Sequence, residues 1–248
     1  MNSFVFIIPR TPKQFRTTVR EKLWLNTIKS LNKQSYTNWL ALVIDDFNKK
    51  EGNIEFINSP AIKKGDKIQY ALQLIAGWDV KPDYIIRLDD DDIIAPYVLE
   101  KLSNKSFDIA TDRYHTYYEL RSGLFCQGIK NWYPNTVAHK YEHAITIMPD
   151  GRPLLDQDHS VVWHNYYKNK NTLFLPKDSP FYVRVLSPTS ITSMENSKYN
   201  KYVLSFGYWK NSSKLSSILP VKSIKNYSSV KKRIQITLNY KNLIKLFR

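Results

Sequence analysis

Tyr84-Ile-Ile-Arg-Leu-Asp-Asp-Asp-Asp-Ile-Ile-Ala-Pro96 is the stretch from which the fold of this chain is read. Tyr84 to Leu88 is apolar on both faces apart from Arg87, the pattern of a strand buried in a parallel sheet. It runs without a spacer into Asp89, Asp90, Asp91 and Asp92, and Ile93 to Pro96 follows at once. The acidic run is therefore clamped between apolar segments and is not a free tail. Four adjacent carboxylates need counter-charge. Hard ions such as Mg²⁺ and Mn²⁺ take carboxylate oxygens, and an Asp-x-Asp at a strand end offers alternate side chains to one ion. A solvated acidic turn is the competing reading of any charge run; the confinement favours the metal.

The same grammar holds upstream. Phe4 to Ile8 is a β-rich run stopped by Pro9, Trp39 to Ile44 a second that ends in Asp45-Asp46, and Ile54 to Ile57 a third. Val19 to Leu31 and Lys67 to Ala76 carry apolar residues at helical spacing, and a short helix is expected over Tyr97 to Leu102. Strands alternating with helices imply an α/β fold, a mostly parallel sheet flanked by helices. Ligands bind such sheets outside the carboxyl ends of the strands. Arg10-Thr11, Asp45-Asp46 and Asp89 to Asp92 each follow a predicted strand, so three polar clusters are expected on one rim.

Composition bounds the alternatives. The chain has 248 residues, 42% hydrophobic and 24% charged, which is globular rather than disordered. A single cysteine, Cys126, excludes an internal disulfide framework and suits a reducing, cytoplasmic setting. No apolar run approaches the length of a membrane span, and the first residues lack the charged start of a secretory leader. The formal charge of +15 is uneven. Residues 194–248 hold twelve basic side chains and one acid, whereas residues 1–193 hold 25 and 21. A catalytic body over 1–193 and a basic C-terminal extension over 194–248 are expected. Asn211 to Ser229 reads as loop or linker. Tyr199, Tyr202, Val203, Phe206 and Trp209, and the mixed basic and apolar run Val230 to Phe247, suit either a packed basic helix pair or attachment to an anionic membrane surface.

Taken in order, these segments resemble the family-2-like glycosyltransferases of the GT-A fold. Lys29 to Trp39 is similar to that family's segment before the second strand, and Leu40 to Asp46 to its strand ending in paired Asp. Tyr84 to Pro96 resembles the segment holding the DXD metal motif. Leu155-Asp156-Gln157-Asp158-His159 resembles the later acidic element, and Phe181-Tyr-Val-Arg184 with Ser187 to Ser193 the segment near the domain's end. A much weaker likeness runs to rhamnosyltransferase-like members. The resemblance spans roughly residues 4–193. It implies a nucleotide-sugar donor, Mn²⁺ or Mg²⁺ as cofactor, a saccharide or lipid-linked acceptor, and a single inverting displacement. It makes Asp89 and Asp91 the metal carboxylates and places Asp90 near the ribose. It gives Asp46 to the base, with Thr11 beside it, and Lys63 or Lys64 to the pyrophosphate. Asp158 is the general base, with Asp156 in reserve. An acceptor of this kind would be met in the cytoplasm or on the inner face of the membrane.

The chain also departs from the family. Phe47-Asn48 stands where Gly-Ser is usual, Gln69 where Asn is common, Gln157 where Glu is expected, and Ser187 near an expected His. His115, His139, His143, His159 and His164 show no zinc spacing, and His139 and His143 read as acceptor-pocket or surface residues. Aromatics from Tyr114 to Tyr141 suit sugar faces, although core is the ordinary fate of each. A nucleic-acid-binding protein is the alternative raised by net charge, but the near-neutral body and its acidic cluster disfavour it. A metal-dependent nucleotidyltransferase would use the same rim, yet the seven glycines form no phosphate-cradling loop.

Overall fold

Every residue of β1 (Phe4–Pro9) is buried, because the strand has helices on both sides. Phe4, Phe6 and Ile8 face one apolar layer with Leu23, Trp24 and Leu31 of α1 (Thr18–Leu31). Val5 and Ile7 face the other, with Ile68, Ala71, Leu72 and Ile75 of α2 (Lys64–Ala76). The same alternation splits Ala41 and Val43 from Leu42 and Ile44 in β2 (Trp39–Asp45), and Ile86 from Ile85 in β5 (Tyr84–Arg87). Two-sided burial is why these strands read as unbroken apolar runs.

The computed structural model describes residues 1–130, 133–159, 161–187 and 209–220. Beyond the elements named, it contains β3 (Lys49–Glu51), β4 (Ile54–Asn58), β6 (Ile93–Ile94), α3 (Val98–Leu102), β7 (Ile109–Asp112), β8 (Tyr114–Glu119) and β9 (Leu124–Lys130). There follow β10 (Ala138–Lys140), α4 (Tyr141–Ala144), α5 (Val162–Tyr166), β11 (Thr172–Leu175), β12 (Tyr182–Leu186) and α6 (Ser213–Ile218). The main sheet has the order β11-β7-β10-β5-β1-β2-β4-β3, with β10 and β3 antiparallel to their neighbours. A second sheet has the order β6-β12-β8-β9. The chain thus has a GT-A-like α/β fold, a mostly parallel sheet flanked by helices.

Register brings the polar clusters together. Pro9 pairs with Ile44 and Ile7 with Arg87, so β1, β2 and β5 end side by side. Thr17 caps α1 by accepting the Arg20 amide at 3.2 Å, which starts that helix directly beyond the β1 loop. The helix expected from Lys67 begins three residues earlier, at Lys64, bringing its amino end to the rim.

Two expectations are corrected. Asn211 to Ser229 is not all linker. Ser212 caps α6 through the Leu215 amide at 3.2 Å, and Leu215, Ile218 and Leu219 enter the main core at helical spacing. Trp209 is buried, and Lys210 bridges to Phe125, so residues 209–220 pack on the body. His139 and His143 are not pocket or surface residues. They are buried, with hydrogen bonds to the hydroxyls of Tyr167 at 2.7 Å and Tyr166 at 3.1 Å. Tyr117, Tyr118, Phe125 and Tyr133 are likewise core. The amphipathic stretches expected at Tyr199 to Phe206 and Val230 to Phe247 lie outside the described residues, as does Trp132. No helix among the described residues is long and apolar enough to cross a membrane.

Candidate active site

A cleft of about 140 Å³ opens at the shared end of β1, β2 and β5. Thr11, Arg20, Lys64, Lys67, Asp89 and Asp91 are among the residues lining it. The four aspartates leave β5 in different directions and meet different partners.

Asp90 turns inward. Its Oδ2 accepts Arg10 Nη1 at 2.6 Å and the Thr11 amide at 2.8 Å; its Oδ1 accepts Thr11 Oγ1 at 3.0 Å and Arg20 Nη2 at 2.9 Å. Burial works against its ionisation, but Arg20, the Thr11 amide and Arg10 override it and hold the carboxyl below its usual range. Both oxygens are thus engaged in fixing the β1 loop. Asp92 also turns inward, accepting the Val185 amide at 3.0 Å, while its own carbonyl accepts Thr27 Oγ1 at 2.8 Å. It ties the acidic turn to β12 and α1. Burial first, then Asp91 and Asp89, push its carboxyl well up.

Asp89 and Asp91 face the cleft, with side chains 17% and 16% exposed. Asp89 accepts Lys64 Nζ at 2.6 Å, Arg87 Nε at 3.4 Å and Asn135 Nδ2 at 3.3 Å. Against the cost of burial, Lys64 and Arg87 hold it well below the usual carboxylate range. Asp91 has Arg20 Nη1 at 3.4 Å. Burial pushes it up to about 6, with Arg20 opposing and Asp90 and Asp89 adding. Two hard oxygen donors, two residues apart and reachable from one cleft, fit Mg²⁺ or Mn²⁺ in chemistry and number. A second group, Asp108, Glu142 and His143, has ligating atoms within 4.8 Å of one another. It lies at the other edge of the sheet, where Lys140 pairs with the first residue of β5. Its atoms are already bonded: His143 Nε2 to Asp108 Oδ1 at 3.2 Å, and Asp108 Oδ2 to the Asn171 amide at 2.8 Å.

The end of β2 divides its two carboxylates. Asp45 is buried and paired with Arg16, with the Asp46 amide on it at 2.8 Å; Asp46 itself is 45% exposed, 3.7 Å from Arg16 Nη1. Lys63 is the exposed N-cap of α2, and Lys64 its first residue. Lys67 is buried and donates to the last carbonyls of the β1 and β2 edge, Arg10 O at 2.8 Å and Ile44 O at 3.4 Å. Burial lowers its ammonium below the usual lysine value.

The 154–158 turn docks beside this rim, because Arg87 Nη1 donates to Leu155 O at 2.7 Å. Asp156 packs against the amino end of α2: a Cβ on Gly65 would stand 2.4 Å from Asp156 Oδ2. Only glycine allows that approach. Arg152 Nη1 lies 3.6 Å from the same carboxylate. Asp158 is exposed, and its carbonyl receives the Val162 amide at 2.8 Å at the start of α5. Asp156 and Asp158 therefore share one turn, Asp156 packed against a helix end and Asp158 exposed.

Sequence reasoning singled out the carboxylates and missed most of their counter-charges. Arg10, Arg16, Arg20 and Lys67 serve the rim. The available signal was the acidic run itself, which demands cations, together with Arg16 and Arg20 four residues apart behind a strand end.

No protein-family model and no curated protein matches the sequence. Solved structures do. The chain is similar to S. aureus TarS with a TM-score of 0.50 at 15% identity, over 75% of this chain and 37% of that one. For TarS residues 1–349 the TM-score is 0.48 at 14% identity, over 74% and 60% of the two chains. The glycosyltransferase GlyE of Streptococcus pneumoniae TIGR4 gives 0.45 at 12%, over 86% and 66%. This chain thus spans less than two thirds of either TarS structure. At such identities the likeness speaks to the fold.

Proposed function

We propose that this chain is a metal-dependent glycosyltransferase that moves a sugar from a nucleotide-sugar donor to a saccharide or lipid-linked acceptor hydroxyl, with inversion. The observation that carries the proposal is the pairing of Asp89 and Asp91 with Lys64 and Arg20 in one cleft at three converging strand ends. A cleft of about 140 Å³ is smaller than the roughly 300–1,000 Å³ of a whole-ligand site. It suits the diphosphate end of a donor, with its negative charge and its metal.

Asp89 and Asp91 would hold Mn²⁺ or Mg²⁺. A divalent ion bound there supplies Lewis-acid stabilisation of the charge that develops on the leaving diphosphate. Asp90 fixes the Thr11 loop. Asp46, exposed at the end of β2, reaches for the nucleobase, with Thr11 beside it. Lys63 and Lys64 meet the diphosphate. As the acceptor oxygen bonds to the anomeric carbon, the bond from that carbon to the diphosphate oxygen breaks, and Asp158 takes the acceptor's hydroxyl proton. Its exposure supports that role over Asp156, which is held against Gly65 and Arg152. The basic extension over 194–248 would bring the enzyme to an anionic inner membrane surface, where lipid-linked acceptors are presented.

A panel of nucleotide sugars, assayed for metal-dependent release of the nucleoside diphosphate, tests the proposal. Asp91→Ala should abolish turnover with the fold intact by circular dichroism. Turnover that survives Asp91→Ala, or excess chelator, would overturn the metal role.

A further inference from the structure

Lys64 stands where its own helix disfavours it. It is the first residue of α2, and the amino end of a helix carries partial positive charge. Lys63 precedes it as an N-cap without a side-chain cap bond. Two lysines at such an end are offset by a nearby anion, and Lys64 has one: its ammonium is 2.6 Å from Asp89 Oδ1.

Across the cleft, Arg20 Nη1 is 3.4 Å from Asp91 Oδ2. Each carboxylate proposed for the metal therefore already has cations of the chain on it, Asp89 having also Arg87 Nε at 3.4 Å, a side chain fixed by its bond to Leu155 O. Lys64 and Arg20 are held very differently. Arg20 is also bound to Asp90 at 2.9 Å and to Thr11 Oγ1 at 3.1 Å, and is 18% exposed. Lys64 is 41% exposed, on a flexible four-carbon stem, and among the described residues Asp89 is its hydrogen-bond partner. An ammonium at hydrogen-bond distance and a divalent ion cannot share one carboxylate oxygen without strong like-charge repulsion. Of the two, Lys64 is the one free to leave.

We infer that Lys64 is an exchangeable counter-cation. It holds Asp89 in the donor-free protein, yields it to the divalent ion, and moves to the diphosphate of the incoming donor. The inference rests on the nucleotide-sugar reading above and adds a binding order to it. The metal alone competes with Lys64 and binds weakly. A diphosphate offers Lys64 another anion, so metal and donor favour one another's binding.

The test uses the full chain with Mn²⁺, read by the electron paramagnetic resonance signal of the free ion, without any donor. Lys64→Met should tighten Mn²⁺ binding about tenfold, equivalent to about 1.4 kcal/mol. Lys64→Arg, which keeps the charge, should leave it weak. A second arm measures UDP, GDP and dTDP on the Mn²⁺-saturated protein by equilibrium dialysis. There Lys64→Met should weaken the diphosphate that binds. Opposite signs in the two arms are the signature of exchange, and a merely structural lysine would not produce them. Unchanged Mn²⁺ affinity in Lys64→Met, with diphosphate binding intact in the wild type, overturns the exchange and leaves the donor reading standing. Absence of both Mn²⁺ and diphosphate binding in the wild type overturns the donor reading and the exchange with it.

Discussion

Asp90→Asn tests whether the acidic turn is built as described. The substitution keeps shape and removes charge. Each Asp90 oxygen accepts two donors: Arg10 and the Thr11 amide on one side, Thr11 Oγ1 and Arg20 on the other. An amide has one oxygen and one NH₂: with the NH₂ on the Oδ2 side it faces both Arg10 and the Thr11 amide, and on the Oδ1 side it faces Arg20, since the Thr11 hydroxyl can accept. Arg10 is 1% exposed in its side chain and cannot turn to water. Its remaining partners are Glu21 at 2.7 Å and Asp45 at 4.0 Å, and its guanidinium lies 4.6 Å from the Trp24 ring centroid. Removing one partner of a buried ion pair costs about 3–5 kcal/mol. For a chain of this size that is a fall of about 6–20 °C in Tm. Glu21→Gln removes the other partner of the same guanidinium, but Glu21 is 45% exposed, so its loss should cost at most about 1 kcal/mol. Urea unfolding of the three proteins at pH 7 measures both. The pH dependence has a fixed sign. Asp90 is held below its unfolded pKa, so its contribution is present above about pH 4 and is lost as pH falls through the folded value. The gap between wild type and Asp90→Asn should therefore close in acid. A loss under about 1 kcal/mol at pH 7, or a gap that does not narrow as pH falls below about 4, would refute the description of Asp90 as the buried hub of the rim.

The remaining predictions concern the base, a buried carboxyl and the extension. Asp158→Asn should lower transfer by about 10²–10⁴-fold with donor binding retained in dialysis, while Asp156→Asn keeps most of its turnover; the reverse result would move the base two residues back. Asp112 is 1% exposed and accepts the Phe181 amide at 2.5 Å, and burial pushes it up to about 8 against the Phe181 and Tyr182 amides. The folded carboxyl thus keeps a proton that the unfolded chain releases near pH 4, so stability falls as pH rises between those values, by up to about 1.4 kcal/mol per pH unit. Asp112→Asn should flatten that slope in urea midpoints taken from pH 5 to 8, and an unchanged slope would refute the assignment. Co-sedimentation of the full chain with liposomes should rise with anionic lipid and fall with salt. Equal binding to neutral liposomes would refute an electrostatic attachment.

The parallel sheet was legible because burial on both faces leaves no polar positions to blur a strand. Phe4 to Ile8, Leu40 to Ile44 and Tyr84 to Leu88 announce themselves, and their polar ends fall where the register of β1 with β2 and β5 puts them. What was not legible is the antiparallel material. β3 is three exposed charged residues, Lys49 to Glu51, and pairs with β4 only because a positive-φ Gly52 turns the chain back. β6 is two residues long and exists because β12, some ninety residues later, passes beside it. Pairing of that kind depends on distant chain, which local periodicity does not carry. The α6 helix hid among serines and lysines for a related reason. Its three core residues, Leu215, Ile218 and Leu219, are too few to stand out until the surface they cover is known.

Reading the site was limited differently. The carboxylates are consecutive, so their number and confinement can be seen in the sequence. Their four destinations cannot, because strand alternation alone would send Asp89 and Asp91 one way and Asp90 and Asp92 the other without naming what each meets. The alternation holds in burial: Asp89 and Asp91 are partly exposed at the cleft, whereas Asp90, at the cleft wall, and Asp92 are buried. What separates the inward pair is the cations. Asp90 is bonded directly by Arg10 and Arg20, which hold it below the usual range, whereas burial, then Asp91 and Asp89, push Asp92 up against the weaker pull of Arg184 and the Val185 amide. One run of four identical residues therefore contains a buried hub held below the usual carboxylate range, a buried strut pushed above it, and two cleft-facing carboxylates each paired with a cation. The distinction is made by partners from the loop after β1, from α1, α2, β5 and β12, and by Asn135. It follows that changing a counter-cation alters the character of an aspartate as surely as changing the aspartate. Variants at Arg10, Arg20 and Lys64 thus probe the chemistry of the rim more selectively than alanine at the acidic run itself.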